Sequence, residues 1–99
     1  MFNAVMLISF NLVKGASVPD FFLASEKVHR EFMSKQKGFI SWNQLTEGEV
    51  WVDLLTWESM DDAKNAMEAS STVASVVEFC SFLDQESVKH HLYSVVKCY

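Results

Sequence analysis

The chain has 99 residues, of which 49% are hydrophobic and 13% aromatic, and a net charge of -5 at neutral pH. This is the length of one domain, spanning residues 1–99, and so small a domain buries only about 60–65% of its unfolded surface when alone; part of the apolar supply is expected to pack against a second copy. The eight basic residues are scattered and Arg30 is the sole arginine, which excludes a protein that grips a phosphate backbone, since that requires clustered cations.

Met1 to Val13 is apolar, but it has no basic n-region, Asn3, Ser9 and Asn11 interrupt it, and no small-residue cleavage site follows. It is also too short to span a bilayer. Its alternation is that of a strand: Phe2, Ala4, Met6, Ile8, Phe10 and Leu12 form a wholly apolar face, and Asn3, Val5, Leu7, Ser9, Asn11 and Val13 a mixed one. Lys14-Gly15-Ala16 breaks the pattern. Ser17-Val18-Pro19-Asp20 is a helix start, with Ser17 as cap and Pro19 in the first turn. Phe21, Ala24, Val28 and Phe32 follow at helical spacing, predicting a helix to about Gln36.

Phe39 to Leu45 and Val50 to Trp57 read as two strands joined by a two-residue turn at Glu47-Gly48. That register sets Trp42 opposite Asp53, Gln44 opposite Trp51 and Ile40 opposite Leu55. One face then holds Ile40, Trp42, Gln44, Trp51, Asp53, Leu55 and Trp57. Ser59-Met60-Asp61-Asp62 repeats the capping pattern. Ala63, Ala66 and Met67 form a narrow stripe, Ser70-Ser71-Thr72 weakens the helix, and Val73, Val76, Val77 and Cys80 resume it, so one kinked helix or two abutting ones are expected. Glu86 to Lys97 is the last strand, with Val88, Leu92 and Val96 on one face and Tyr93 and Val95 on the other.

The order β-α-β-β-α-β predicts an α+β, ferredoxin-like sandwich: a four-stranded antiparallel sheet with helices on one side. In a lone domain the open face of such a sheet would be polar. Neither face is polar on the first or third strand, so the sequence predicts a homodimer closed through the open sheet faces, a dimeric α+β barrel.

Lys37-Gly38-Phe39-Ile40, then Trp51-Val52-Asp53, then Trp57-Glu58-Ser59 leading into Asp62-Ala63 resembles the antibiotic-biosynthesis monooxygenase-like (ABM) proteins of the dimeric α+β barrel superfamily. The resemblance covers nearly the whole chain in element order, and positions 37–66 at residue level. It implies the fold and the dimer. It does not single out one activity, because the superfamily includes cofactor-free quinone-forming oxygenases, haem-degrading oxygenases, isomerases and stress proteins.

The candidate site residues carry two readings each. Asp53, an acid in an apolar strand, is costly to bury unless paired. It is either a proton acceptor of raised pKa, as a cofactor-free oxygenase would need to ionise a phenol, or a structural acid held by a Lys, a His or Trp42 Nε1. His91 is the alternative base, and it shares a face with Tyr93 and Lys89. His90, adjacent to it, points to the other face. The resemblance makes Trp57 a strand-end aromatic of the kind that contacts ligand; otherwise it closes the strand-to-helix corner. Trp42, Trp51, Tyr93 and Asn11 are expected in the pocket wall, with Ser9 on the same strand as Asn11. Haem-degrading relatives ligate iron through a histidine of the second helical segment, and residues 59–83 contain none.

No metal-ligand spacing, phosphate loop or nucleophilic triad is present, so no metal or cofactor is expected. Cys80 and Cys98 are expected to be reduced thiols of a cytoplasmic protein. The functional expectation is a small cofactor-independent monooxygenase acting on a flat aromatic or apolar molecule, or else a non-catalytic ligand-binding or stress-related dimer, with no nucleic-acid or membrane partner.

Overall fold

The computed structural model describes residues 3–99. Four strands, β1 (Ala4–Phe10), β2 (Phe39–Glu47), β3 (Val50–Trp57) and β4 (Lys89–Ser94), form one antiparallel sheet in the order β2-β3-β1-β4. Three helices, α1 (Val18–Glu31), α2 (Met60–Ser70) and α3 (Ala74–Cys80), complete the β-α-β-β-α-β order. The second helical region is thus two abutting helices, broken at Ser71–Val73. The first helix ends sooner than its spacing indicates, passing at Phe32 into a 3-10 turn over Met33–Lys35. No helix among the described residues is long and apolar enough to cross a membrane.

The period-2 pattern of β1 divides the molecule. Ala4, Met6 and Phe10 are buried under the helices, while Val5, Leu7 and Ser9 face away from them and stay partly open. Phe2, which the alternation assigns to the first set, lies outside the described residues. The helices start where the short polar side chains cap them. Ser17 Oγ accepts the Asp20 N–H at 3.3 Å and Ser59 Oγ accepts the Asp62 N–H at 3.1 Å, each satisfying a first-turn donor that the helix leaves open.

The β2–β3 hairpin departs from the expected register by two residues. Gly48 and Glu49 form the turn, with Gly48 at φ +61° and no positive φ at Glu49, the combination of a type II′ turn with glycine first. Gln44 therefore opposes Asp53, Trp42 opposes Leu55 and Thr46 opposes Trp51. An even shift leaves every side chain on its face, so Trp42, Gln44, Trp51, Asp53, Leu55 and Trp57 remain together. Ile40 leaves the group. The register breaks between Phe39 and Ser41, so that Phe39 packs on Trp57 at 5.6 Å between ring centroids while Ile40 is 48% exposed. The last strand is shorter than Glu86 to Lys97: Gln85–Ser87 is a 3-10 turn, and Val96, expected in the core, is exposed beyond the end of β4.

The core has two parts. One gathers Ala4, Met6, Leu55, Trp57, Ala63 and Ala66, and the other Phe10, Phe21, Val28, Phe79 and Leu83. The second is an aromatic cluster with Phe10, Trp42 and Trp51 in edge-to-face contact with Phe21 or Phe79. Ile8, Met33 and Trp42 pack against both parts.

Gly38 locks the corner between the first helical layer and β2. Its φ is +79°, its carbonyl accepts the Glu58 N–H at 2.8 Å, and a Cβ there would collide with the Asp62 carboxyl in the first turn of α2. Gly38→Ala is expected to lower stability by about 1–3 kcal/mol, read as a fall in the urea midpoint at unchanged m. An unchanged midpoint would show that Asp62 swings clear at no cost.

Candidate functional site

Between the sheet and the helices lies a cavity of about 160 Å³. Met6 and Ile8 of β1, Trp42 of β2, and Asp53, Leu55 and Trp57 of β3 form its floor. Ala66 and Met67 of α2 and Phe79 and Cys80 of α3 form its roof, and Gln85, Val88 and His90 line it from the chain entering β4. The small side chain of Ala66 leaves room in this roof that a larger residue would fill.

Asp53 is the acid of this cavity. It is 3% exposed on a strand otherwise apolar on that face. Burial pushes its carboxyl up to about 6, because the charged form loses its hydration; the Trp42 indole N–H and the Gln44 amide oppose this in part. Neither completes a hydrogen bond. Gln44 Nε2 donates to Ser25 Oγ at 2.9 Å, and Ser25 Oγ donates onward to the Phe21 carbonyl at 2.9 Å. Trp42 Nε1, Trp57 Nε1 and Asp53 Oδ1 are all buried without a partner, and all three belong to residues lining the cavity. Cys80 joins them from the roof, its thiol held protonated first by burial and then by the Asp53 charge.

The structure thus brings together Asp53, Trp42 and Trp57. It leaves the other sequence candidates elsewhere. His91 and Tyr93 lie on the opposite, open face of the sheet, both exposed, with their rings stacked at 5.8 Å. Ser9 is on that face too, between Val52 and Lys89. Trp51 is on the helix-covered face but packs at the hairpin end against Phe21 and Phe22, outside the cavity. Asn11 lies past the end of β1, where its N–H donates to Ser87 Oγ and its carbonyl accepts the Asp84 N–H, both at 2.8 Å. The histidine that reaches the cavity is His90, not His91. Its signal was present in the sequence: it has the same parity as Val88 and Leu92, the apolar face of that strand. Among the described residues no group of three His, Cys, Asp or Glu is placed to hold a metal ion.

A second, wider depression lies outside α1 and β2, lined by Ser25, Glu26, His29 and Arg30 together with Gln44 and Trp42. Trp42 therefore stands as the partition between the groove and the cavity.

No family model matches the chain, and no curated protein sequence matches it either. Solved structures do. A mutant of SnoaB, a cofactor-independent oxygenase from Streptomyces nogalater, superposes with a TM-score of 0.79 at 14% identity, over 99% of this chain and 97% of that one. A monooxygenase from the gene ActVA-Orf6 of Streptomyces coelicolor, in complex with the ligand nanaomycin D, gives 0.69 at 17% identity, over 99% and 91%. A conserved protein from Methanosarcina mazei gives 0.71 at 16% identity, over 94% and 92%. At these identities the likeness establishes a shared fold, the fold that the ABM resemblance implies.

The raised Asp53 pKa has a defined consequence for stability. The folded state holds the proton more tightly than the unfolded chain, whose carboxyl titrates near 3.8. Folded protein therefore binds more protons between about pH 4 and 6, and stability falls as pH rises through that window. A displacement from 3.8 to about 6 corresponds to about 3 kcal/mol. Asp53→Asn is expected to be more stable than the parent at pH 7–8, by up to that order, with the difference closing below about pH 4. Chemical unfolding across pH measures it, and a variant less stable at pH 7 would show that the carboxylate has a partner.

Proposed function

We propose that the protein is a cofactor-independent monooxygenase that oxygenates a small, flat phenolic molecule in this cavity, with Asp53 as the base, and that it works in the cytoplasm as a single-domain homodimer. The observation that carries the reading is the buried Asp53 carboxyl, its Oδ1 without a partner, facing an apolar cavity between two tryptophans. A structural acid would be paired. A base for a phenol must be reachable, must titrate within the working range, and must lack a competing partner. The names of SnoaB and ActVA-Orf6 as oxygenases on the same fold support it.

In this scheme the phenol enters with its hydroxyl at Asp53, which takes the proton. The phenolate pushes electron density onto its para carbon, and that carbon reduces and then bonds dioxygen, giving a peroxide. The Asp53 proton passes to the peroxide. The para C–H is then lost as a proton, the O–O bond breaks, and one oxygen leaves as water while the other remains as the second carbonyl of a quinone. One phenol and one O₂ give one quinone and one water. Trp57 and Trp42 hold the ring, and the apolar lining strengthens the proton transfer by excluding water.

Dimerisation rests on the open face. Val5, Leu7, Val52 and Leu54 occupy its centre, with Leu45 and Tyr93 about half exposed beside them. No element of the chain covers this surface among the described residues. A second copy placed on it would bury on the order of 1,600 Å² in total, a standard interface, and closes a barrel with two-fold symmetry. Light scattering at micromolar concentration is expected to give twice the 11.3 kDa chain mass. A well-folded monomer would overturn this part of the reading.

Oxygen uptake with small phenols tests the chemistry. The value of kcat/KM is expected to rise with pH through about 6, as the Asp53 carboxyl loses its proton. Asp53→Asn is expected to lose about 10²–10⁴-fold in rate while still quenching tryptophan fluorescence on binding. Saturable binding without oxygen uptake in the parent protein would instead favour a non-catalytic ligand-binding dimer.

A further inference from the structure

Ile8 of β1 is the Cα partner of Asp53 on one side and of His90 on the other. The three residues form a row across three strands on the helix-covered face, and all three line the cavity. Asp53 is buried at one end of the row; His90 is exposed at the other, at the mouth. Between them the floor is the aliphatic side chain of Ile8. Of the lining residues only Asp53, His90 and Cys80 are ionisable. Beside the unpartnered indole N–H groups of Trp42 and Trp57, the row thus offers a ligand one ionisable group deep in the cavity and one at the rim.

We propose that the cavity takes a single-ring phenol carrying a second oxygen substituent meta to the hydroxyl, with the hydroxyl at Asp53 and the second oxygen hydrogen-bonded to His90. The assignment of the hydroxyl to Asp53 and the exclusion of the para position rest on the oxygenase reading above. Antiparallel partners are alternately about 4.5 and 5.5 Å apart between Cα atoms, so the outer two of the row are roughly 10 Å apart. With both side chains standing off the sheet, their polar atoms are about as far apart as the Cα atoms, and two hydrogen bonds of about 2.8 Å then leave roughly 4–5 Å between the ligand's polar atoms. Adjacent ring oxygens are too close for that span. A para oxygen would occupy the carbon that dioxygen must reach. A meta oxygen meets the span, leaves that carbon free, and feeds electron density into it. The volume points the same way: a cavity of about 160 Å³ is of the size that holds one benzene ring, and a fused tricycle would have to displace the roof. His90 would act as a specificity-determining residue, recognising the second oxygen through an imidazole N–H.

The test compares 3-methoxyphenol with 3-ethylphenol, which has nearly the same shape and lacks the second oxygen, by tryptophan fluorescence at pH 7.5. The parent protein is expected to prefer 3-methoxyphenol by about tenfold, the effect of one good hydrogen bond at a partly desolvated site. His90→Leu is expected to remove the preference while leaving the 3-ethylphenol affinity within about twofold; His90→Gln, which retains an N–H donor, is expected to keep most of it. His90 is exposed, so neither change threatens the fold. Equal binding of the two phenols by the parent, or a preference that survives His90→Leu, would overturn the proposal while leaving the cavity and its oxygenase reading intact. Tighter binding of a tricyclic phenol than of either probe would overturn the single-ring assignment. Failure of both probes to bind would overturn the phenol site itself, and this proposal with it.

Discussion

Pairing of β1 on both edges is the constraint from which the rest of the molecule follows. β1 lies between β3 and β4, with Ile8 fixed against Asp53 and His90. Once the even-numbered side chains of β1 turn to the helices, the parity of both neighbours is set, because a slip of one residue would move every side chain to the other face. The same pairing that buries Met6 and Phe10 therefore buries an acid on β3 and aims a histidine on β4 at the helix-covered side. The polar residues of the site are held by the sheet's hydrogen bonds, not by partners of their own.

That explains how an unpartnered carboxyl persists. Its position is determined by backbone pairing and by the apolar neighbours on either side along β3, Trp51 and Leu55, which must stay inward. Asp53 cannot leave without taking them along. Of the two groups nearest to relieving it, the Gln44 amide reaches α1 through Ser25, and the Trp42 indole N–H, on the partition between cavity and groove, is itself buried without a partner. A carboxyl buried this deeply is held there at a cost in local stability.

The fold was legible in the residues because its signals are redundant. Strand alternation, Ser caps before both long helices, and the absence of long connections all point to one order of elements. Face membership survived the error in hairpin register because the error was even. The turn itself was misplaced because Gly48 suits either central position, and only the backbone decides that it comes first. Ile40 was assigned inward since nothing local announces a bulge between Phe39 and Ser41. Asp53, Trp42 and Trp57, which line one cavity, are legible as neighbours because a lone acid and large aromatics stand out on an apolar face. Asn11, His91 and Tyr93 are chemically apt but sit past a strand end or on the open face. His90 lines the cavity where His91 does not, and its parity with Leu92 is the signal that separates the two.

The division of the core has a consequence for how the molecule comes apart. Its two clusters meet through only a few side chains, Ile8, Met33 and Trp42, and the cavity occupies much of the seam. The aliphatic end around Trp57 and the aromatic end around Phe21 are thus weakly coupled wherever the sheet does not join them. A molecule filling the cavity touches both, and so acts as an extra core residue. Occupancy would then show itself in the cooperativity of unfolding as well as in its midpoint: the two ends open as one unit when the seam is filled, and more nearly as two when it is not.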